Sequence, residues 1–95
     1  MGYYIQCSDA HGKAKEITDT LDGIEVSADE AEMIIREDMG GAIICVVDNG
    51  PFEAAAYCYN LTEFRQFHRP DDDRRKTWLL VNDKAKVEDL TGYNR

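Results

Sequence analysis

Cys7, Cys45, Cys58, His11 and His68 are the side chains in this sequence whose types could ligate a soft metal or run nucleophilic chemistry. Three thiolates and an imidazole would make a Cys3His zinc site, and a thiol next to a histidine would make an activated nucleophile. The spacing argues against both. Only Cys7-x3-His11 is local, there is no CxxC pair, and no glycine-rich elbow or helix start stands ready to activate a thiol. The cysteines fall in apolar, strand-like segments, where a thiol usually serves as a small hydrophobe. The odd cysteine count fits reduced thiols better than a disulfide framework.

A second concentration of chemistry is "FHRPDDDRRKTW", Phe67 to Trp78. Adjacent carboxylates at Asp71, Asp72 and Asp73 could hold a hard cation, but the glycine and terminal glutamate of a calcium loop are missing. A solvated loop with mutually compensating charges, or a docking surface, explains the run better. Arg74, Arg75 and Trp78 are residue types enriched where interfaces concentrate their energy, so they are expected to anchor a partner. "HGKA" lacks the glycine spacing of a phosphate loop, and no acid/base pair of carboxylates can be named. The reading is therefore of a non-enzyme with no cofactor.

The elements that must position these groups follow from periodicity. "YYIQC" reads as a strand, and Ala10, Ala14, Ile17 and Leu21 form a helical stripe capped by Ser8 or Asp9 and ended by Asp22 and Gly23. "IEVS" is a brief strand. Ser27 and Glu30 then match a capping box and open a helix that buries Ala28, Ala31, Ile34, Ile35 and Met39 and stops at Gly40 and Gly41.

"AIICVV" is apolar on both faces, as a central strand covered twice would be. It pairs through a longish "DNGPFE" loop with "AAAYCYN". Asn60 and Glu63 cap a third helix carrying Leu61, Phe64 and Phe67, which ends before Pro70. This cap is a better use of Asn60 than the accidental glycosylation match "NLT". "PDDDRRK" is a loop, "TWLLVN" a strand, and "DKAKVEDLTGYN" a terminal helix with Val87 and Leu90 inward, Gly92 at its end and Tyr93 folded back.

The expected order is β-α-β-α-β-β-α-β-α. This is an α+β fold: one two-layer domain over residues 1–95, with a small mixed sheet, a central hairpin and helices packed mainly on one face. Tyr57 and Tyr59 share a strand face, and Tyr3, Tyr4 and Trp78 lie on strands that could neighbour it. If helices leave that face bare, the rings form an exposed patch for a partner or a second copy; otherwise they complete the core.

Composition bounds the rest. A chain of 95 residues with 43% hydrophobic and 32% charged residues is one small foldable domain. The N-terminal "MGYYIQCSDAHGK" lacks a basic segment followed by an apolar run, and no window is long and apolar enough to span a bilayer, so a cytoplasmic protein without membrane attachment is expected. The net charge of −8 is uneven: residues 1–53 hold twelve acids and three bases, residues 54–95 seven acids and eight bases. Such a field repels nucleic acid and steers a basic partner inward.

The short acidic chain with "VVDNGPFEAAAYC" and "RPDDDRRKTWLLV" resembles the small accessory proteins of bacteriophage early regions. That resemblance implies a non-enzymatic protein that binds and modulates a host factor. The expectation is thus an acidic protein-binding module, with Glu30, Glu32, Glu37 and Asp38 steering a partner that carries a basic patch, and a homodimer as a further possibility. Two alternatives stand beside it: a nucleic-acid mimic whose carboxylates occupy a basic groove, and a metal- or thiol-dependent enzyme using Cys7, Cys45 and Cys58 with His11 or His68.

Overall fold

The computed structural model describes residues 3–6, 14–17, 23–49 and 52–93. The elements are β1 (Tyr3–Gln6), β2 (Ala14–Ile17), β3 (Ile24–Val26), α1 (Ala28–Glu37), β4 (Ala42–Asn49), β5 (Phe52–Cys58), α2 (Leu61–Phe67), β6 (Arg75–Val81) and α3 (Lys84–Thr91). The fold is α+β, with the helices packed against the sheet. Six strands lie in the order β2-β1-β5-β4-β6-β3. From β5 to β3 the sheet is antiparallel, and β1 joins β5 in parallel, which makes the whole sheet mixed.

β4 is the centre because nothing in Ala42–Val47 needs water. All six of these residues are buried, and they alternate between two clusters on opposite faces of the sheet. Ile43, Cys45 and Val47 join Ala31, Ile34, Cys58, Phe64 and Trp78 under α1 and α2. Ala42, Ile44 and Val46 join Ala55, Tyr57, Val81 and Val87 on the other face, beneath α3. Removing one such aliphatic side chain from water contributes roughly 1.5–3 kcal/mol. Two helices thus pack on one face and one on the other, in line with helices mainly on one side.

The helix starts follow the local chemistry of the sequence. The Glu30 N–H donates to Ser27 Oγ at 3.1 Å, and the Ser27 hydroxyl donates to Glu30 Oε1 at 3.3 Å. The Glu63 N–H donates to Asn60 Oδ1 at 2.9 Å, and the Lys86 N–H to Asp83 Oδ1 at 3.0 Å. α3 ends at Gly92 in the left-handed region, with the Tyr93 N–H donating to the Glu88 carbonyl at 3.1 Å.

Four expectations are corrected. Within the helix expected over Ala10 to Leu21, Ala14–Ile17 is instead β2, paired antiparallel with β1 through Tyr3 opposite Ile17 and Gln6 opposite Ala14. The apolar stripe there was thin and contained Gly12 and β-branched Ile17 and Thr18, so a strand partner outweighs helical propensity. The rest of that expected helix lies outside the described residues.

α1 stops earlier than Gly40. Asp38 itself takes the left-handed cap (φ 49°), which throws Met39 outward to 62% exposure instead of into the core. The β4–β5 pairing runs up to Asn49 opposite Phe52, so the hairpin connection is short. Finally, Arg75 and Lys76 belong to β6 and not to the loop before it.

Candidate functional site

The expected anchor set does not assemble as one patch: Arg74 and Arg75 are exposed, but Trp78 is not. Trp78 is only 6% exposed: it stands opposite Cys45 on β4, and its ring packs 4.8 Å from Phe64 of α2 and 6.1 Å from His68. Tyr57 stands opposite Ile44, the residue next to Cys45 along β4, so Trp78 lies on the other face of the sheet from Tyr57 and belongs to the core under α1 and α2. An apolar ring at that register has a helix above it, and burial outweighs exposure.

Arg74 is exposed, but its guanidinium is committed to Asp72. Its Nε donates to Asp72 Oδ1 at 2.9 Å, its Nη2 to Oδ2 at 2.7 Å and its backbone N–H to Oδ1 at 3.1 Å. Lys76 Nζ lies 3.3 Å from Asp72 Oδ2 and donates to the Asp72 carbonyl at 3.2 Å. The Asp72 side chain is 3% exposed inside this clasp, and the donors hold its carboxyl well below the usual carboxylate range, Arg74 foremost. The aspartate run therefore folds on its own cations: Arg69 pairs with Asp71 at 3.5 Å. Arg75 stays exposed at the register opposite Asp48.

The two described thiols, Cys45 and Cys58, are packing atoms. Cys45 faces Ala56 and Cys58 faces Ile43, so they are diagonal neighbours in one core cluster. Burial pushes the Cys45 thiol up to about 12, opposed in part by Lys76 and Arg74. Burial pushes Cys58 up as well, reinforced by Cys45 and Glu63. A thiol held protonated is a poor nucleophile and a poor metal ligand. No trio of His, Cys, Asp or Glu suited to a metal gathers among the described residues; Cys7 and His11 lie outside them.

Two surfaces stand out among the described residues. The first is the outer side of α1. Asp29, Glu30 and Glu37 are exposed there, with Met33 between them at 41% exposure, because residues three and four apart share a helix face. Glu32 is half-buried and lies 3.8 Å from Arg36, while Asp38 at the cap binds Lys84 Nζ at 3.0 Å. The Asp38–Lys84 contact ties α1 to α3 across a small crevice lined by Ile34, Ala42, Tyr57 and Tyr59. Among the expected acids, Glu30 and Glu37 belong to the open face. Met33 was not singled out from the sequence, although its spacing from Asp29, Glu30 and Glu37 carries the signal.

The second surface is a tyrosine cluster beside that crevice. Tyr57 is buried, Tyr59 half-buried and Tyr93 exposed. Tyr59 and Tyr93 stack with centroids 4.1 Å apart, and Tyr93 meets Tyr57 edge-on at 5.6 Å. The Tyr59 hydroxyl donates to Glu63 Oε1 at 3.1 Å. Burial raises the Tyr57 hydroxyl well above the ordinary tyrosine value, and the nearby Glu88 carboxylate adds to the effect. Thus Tyr57 completes the core while Tyr59 and Tyr93 form its outer edge.

No described helix is long and apolar enough to cross a membrane. Compared with protein-family models, curated proteins and solved structures, the chain matches none of them, so its function is argued from these surfaces alone.

Proposed function

We propose that this chain is a non-catalytic binding module whose outer α1 face docks on a protein bearing a basic patch. The observation that carries the reading is Met33, an exposed apolar side chain set among Asp29, Glu30 and Glu37, none of which has an ion-pair partner among the described residues. A lone acidic face would be a solvated surface. An apolar side chain at its centre adds the desolvated contact that holds a complex together, and methionine adapts its shape to irregular partners. The carboxylates raise the encounter rate and select for positive charge. Modulation of a host factor, as the accessory-protein resemblance implies, is the kind of role such a module fills.

The test is capture of the partner on immobilised chain, with elution by rising salt. The charge-swapped variant Glu30→Lys/Glu37→Lys is expected to lose the captured protein, and Met33→Ala to elute it at lower salt. Capture of the same protein by the charge-swapped variant, eluting at unchanged salt, ends the proposal. Capture that depends steeply on salt and is indifferent to Met33 identifies a mimic of nucleic acid instead.

A further inference from the structure

At the end of the sheet where α1, β5 and α3 meet, the exposed surface is aromatic and acidic together. Tyr93 is 42% exposed and lies on Tyr59, whose hydroxyl is tethered to Glu63; Tyr57 supports both from below. Asp38 borders the crevice beside Tyr57 and Tyr59, and Glu88 lies next to Tyr57. The face of an aromatic ring carries negative electrostatic potential, so rings and carboxylates here act in the same sense. Lys84 is the resident cation, and Asp38 holds its ammonium at 3.0 Å.

We propose that the Tyr59–Tyr93 platform receives an arginine side chain of a basic protein partner, the guanidinium stacking on the open Tyr93 ring with Glu63 and Glu88 supplying the surrounding charge. Arginine fits better than lysine because its cation is planar, weakly hydrated and able to stack. A second copy of the chain is disfavoured as the occupant, since it would bring its own net charge of −8 against these carboxylates. The inference rests on the reading that the partner is basic, and it adds a second contact, around the corner of the sheet from α1, together with the side chain that fills it.

The probe is an acetylated tri-arginine amide, compared with the isosteric but neutral tri-citrulline peptide, titrated into the intact chain by NMR. The arginine peptide is expected to shift the Tyr59 and Tyr93 ring resonances and the citrulline peptide to leave them in place. Tyr93→Leu is expected to weaken arginine-peptide binding about two- to fivefold, the range of an exposed cation–π contact, while Tyr93→Phe retains it. Lys84→Ala, which removes a competing cation from the rim, is expected to strengthen binding. Equal ring shifts from the citrulline peptide, no ring shift from the arginine peptide, or unchanged affinity in Tyr93→Leu overturns the inference.

The α1 variant Glu30→Lys/Glu37→Lys separates this from the wider reading. If it loses the captured partner while Tyr93→Leu binds the arginine peptide normally, the platform fails and the α1 surface stands. If it captures the partner unchanged while Tyr93→Leu weakens the peptide, the platform stands and the α1 surface fails.

Discussion

Phe64 of α2 and Trp78 of β6 pack with ring centroids 4.8 Å apart and planes inclined by 37°, both nearly inaccessible to water. This contact pins α2 onto the sheet at β6, and it turns the one tryptophan into a reporter of the core. Native emission should be blue-shifted and resist acrylamide, then red-shift on unfolding. Trp78→Ala should cost about 3–5 kcal/mol in denaturant titration, because truncating a buried aromatic leaves a cavity. Emission at the wavelength of free tryptophan in the folded chain would contradict the packing.

The Asp72 clasp makes a pH prediction. Its donors depress the folded-state pKa, so the clasp stabilises the fold fully above the unfolded value of about 3.9 and loses that contribution as pH falls toward the folded value. The acid limb of a stability–pH profile should be shallower in Asp72→Asn than in the parent. Asp71→Asn, which removes a carboxylate in an exposed pair, should leave the limb nearly unchanged. Identical acid limbs in the parent and Asp72→Asn would refute this.

Thiol accessibility is the third measurement. In a Cys7→Ser background the remaining thiols are Cys45 and Cys58, both buried and both pushed up by burial. At pH 8 they should react with a disulfide reagent only as fast as the fold opens, and rapidly in denaturant. Prompt labelling of either native thiol would place it in a reactive site.

The α1 cap offers a stability test with a different signature. Ser27→Ala removes the acceptor for the Glu30 N–H and should cost about 1 kcal/mol. Ser27→Asp should restore most of it, as an acceptor that also favours the helix N-terminus. No loss in the alanine variant would mean that Glu30 is satisfied elsewhere.

Much of the fold was legible because it is local chemistry. The caps at Ser27 and Asn60, the apolar run of β4, the break before Pro70 and the Gly92 stop each depend on residues within one turn of one another. β2 was not legible: the Ala14–Ile17 segment satisfies a loose helical stripe, and only the β1 backbone alongside it makes a strand the better use of its hydrogen-bonding groups. The same limit applied to the surface, where residue type marked Trp78 and Arg74 as anchors, but Phe64 draws Trp78 into the core and Asp72 occupies the exposed Arg74 guanidinium.

By itself the sequence determined the element types around strong caps and apolar runs, the acidic imbalance of the first half and the set of charges α1 displays, since a helix face is set by spacing along one segment. Only the tertiary structure decided which rings stay open and which thiols are sealed. Burial is a property of what packs on top: α2 covers Trp78 and Cys45, while Tyr93 closes over Tyr59 and itself stays exposed.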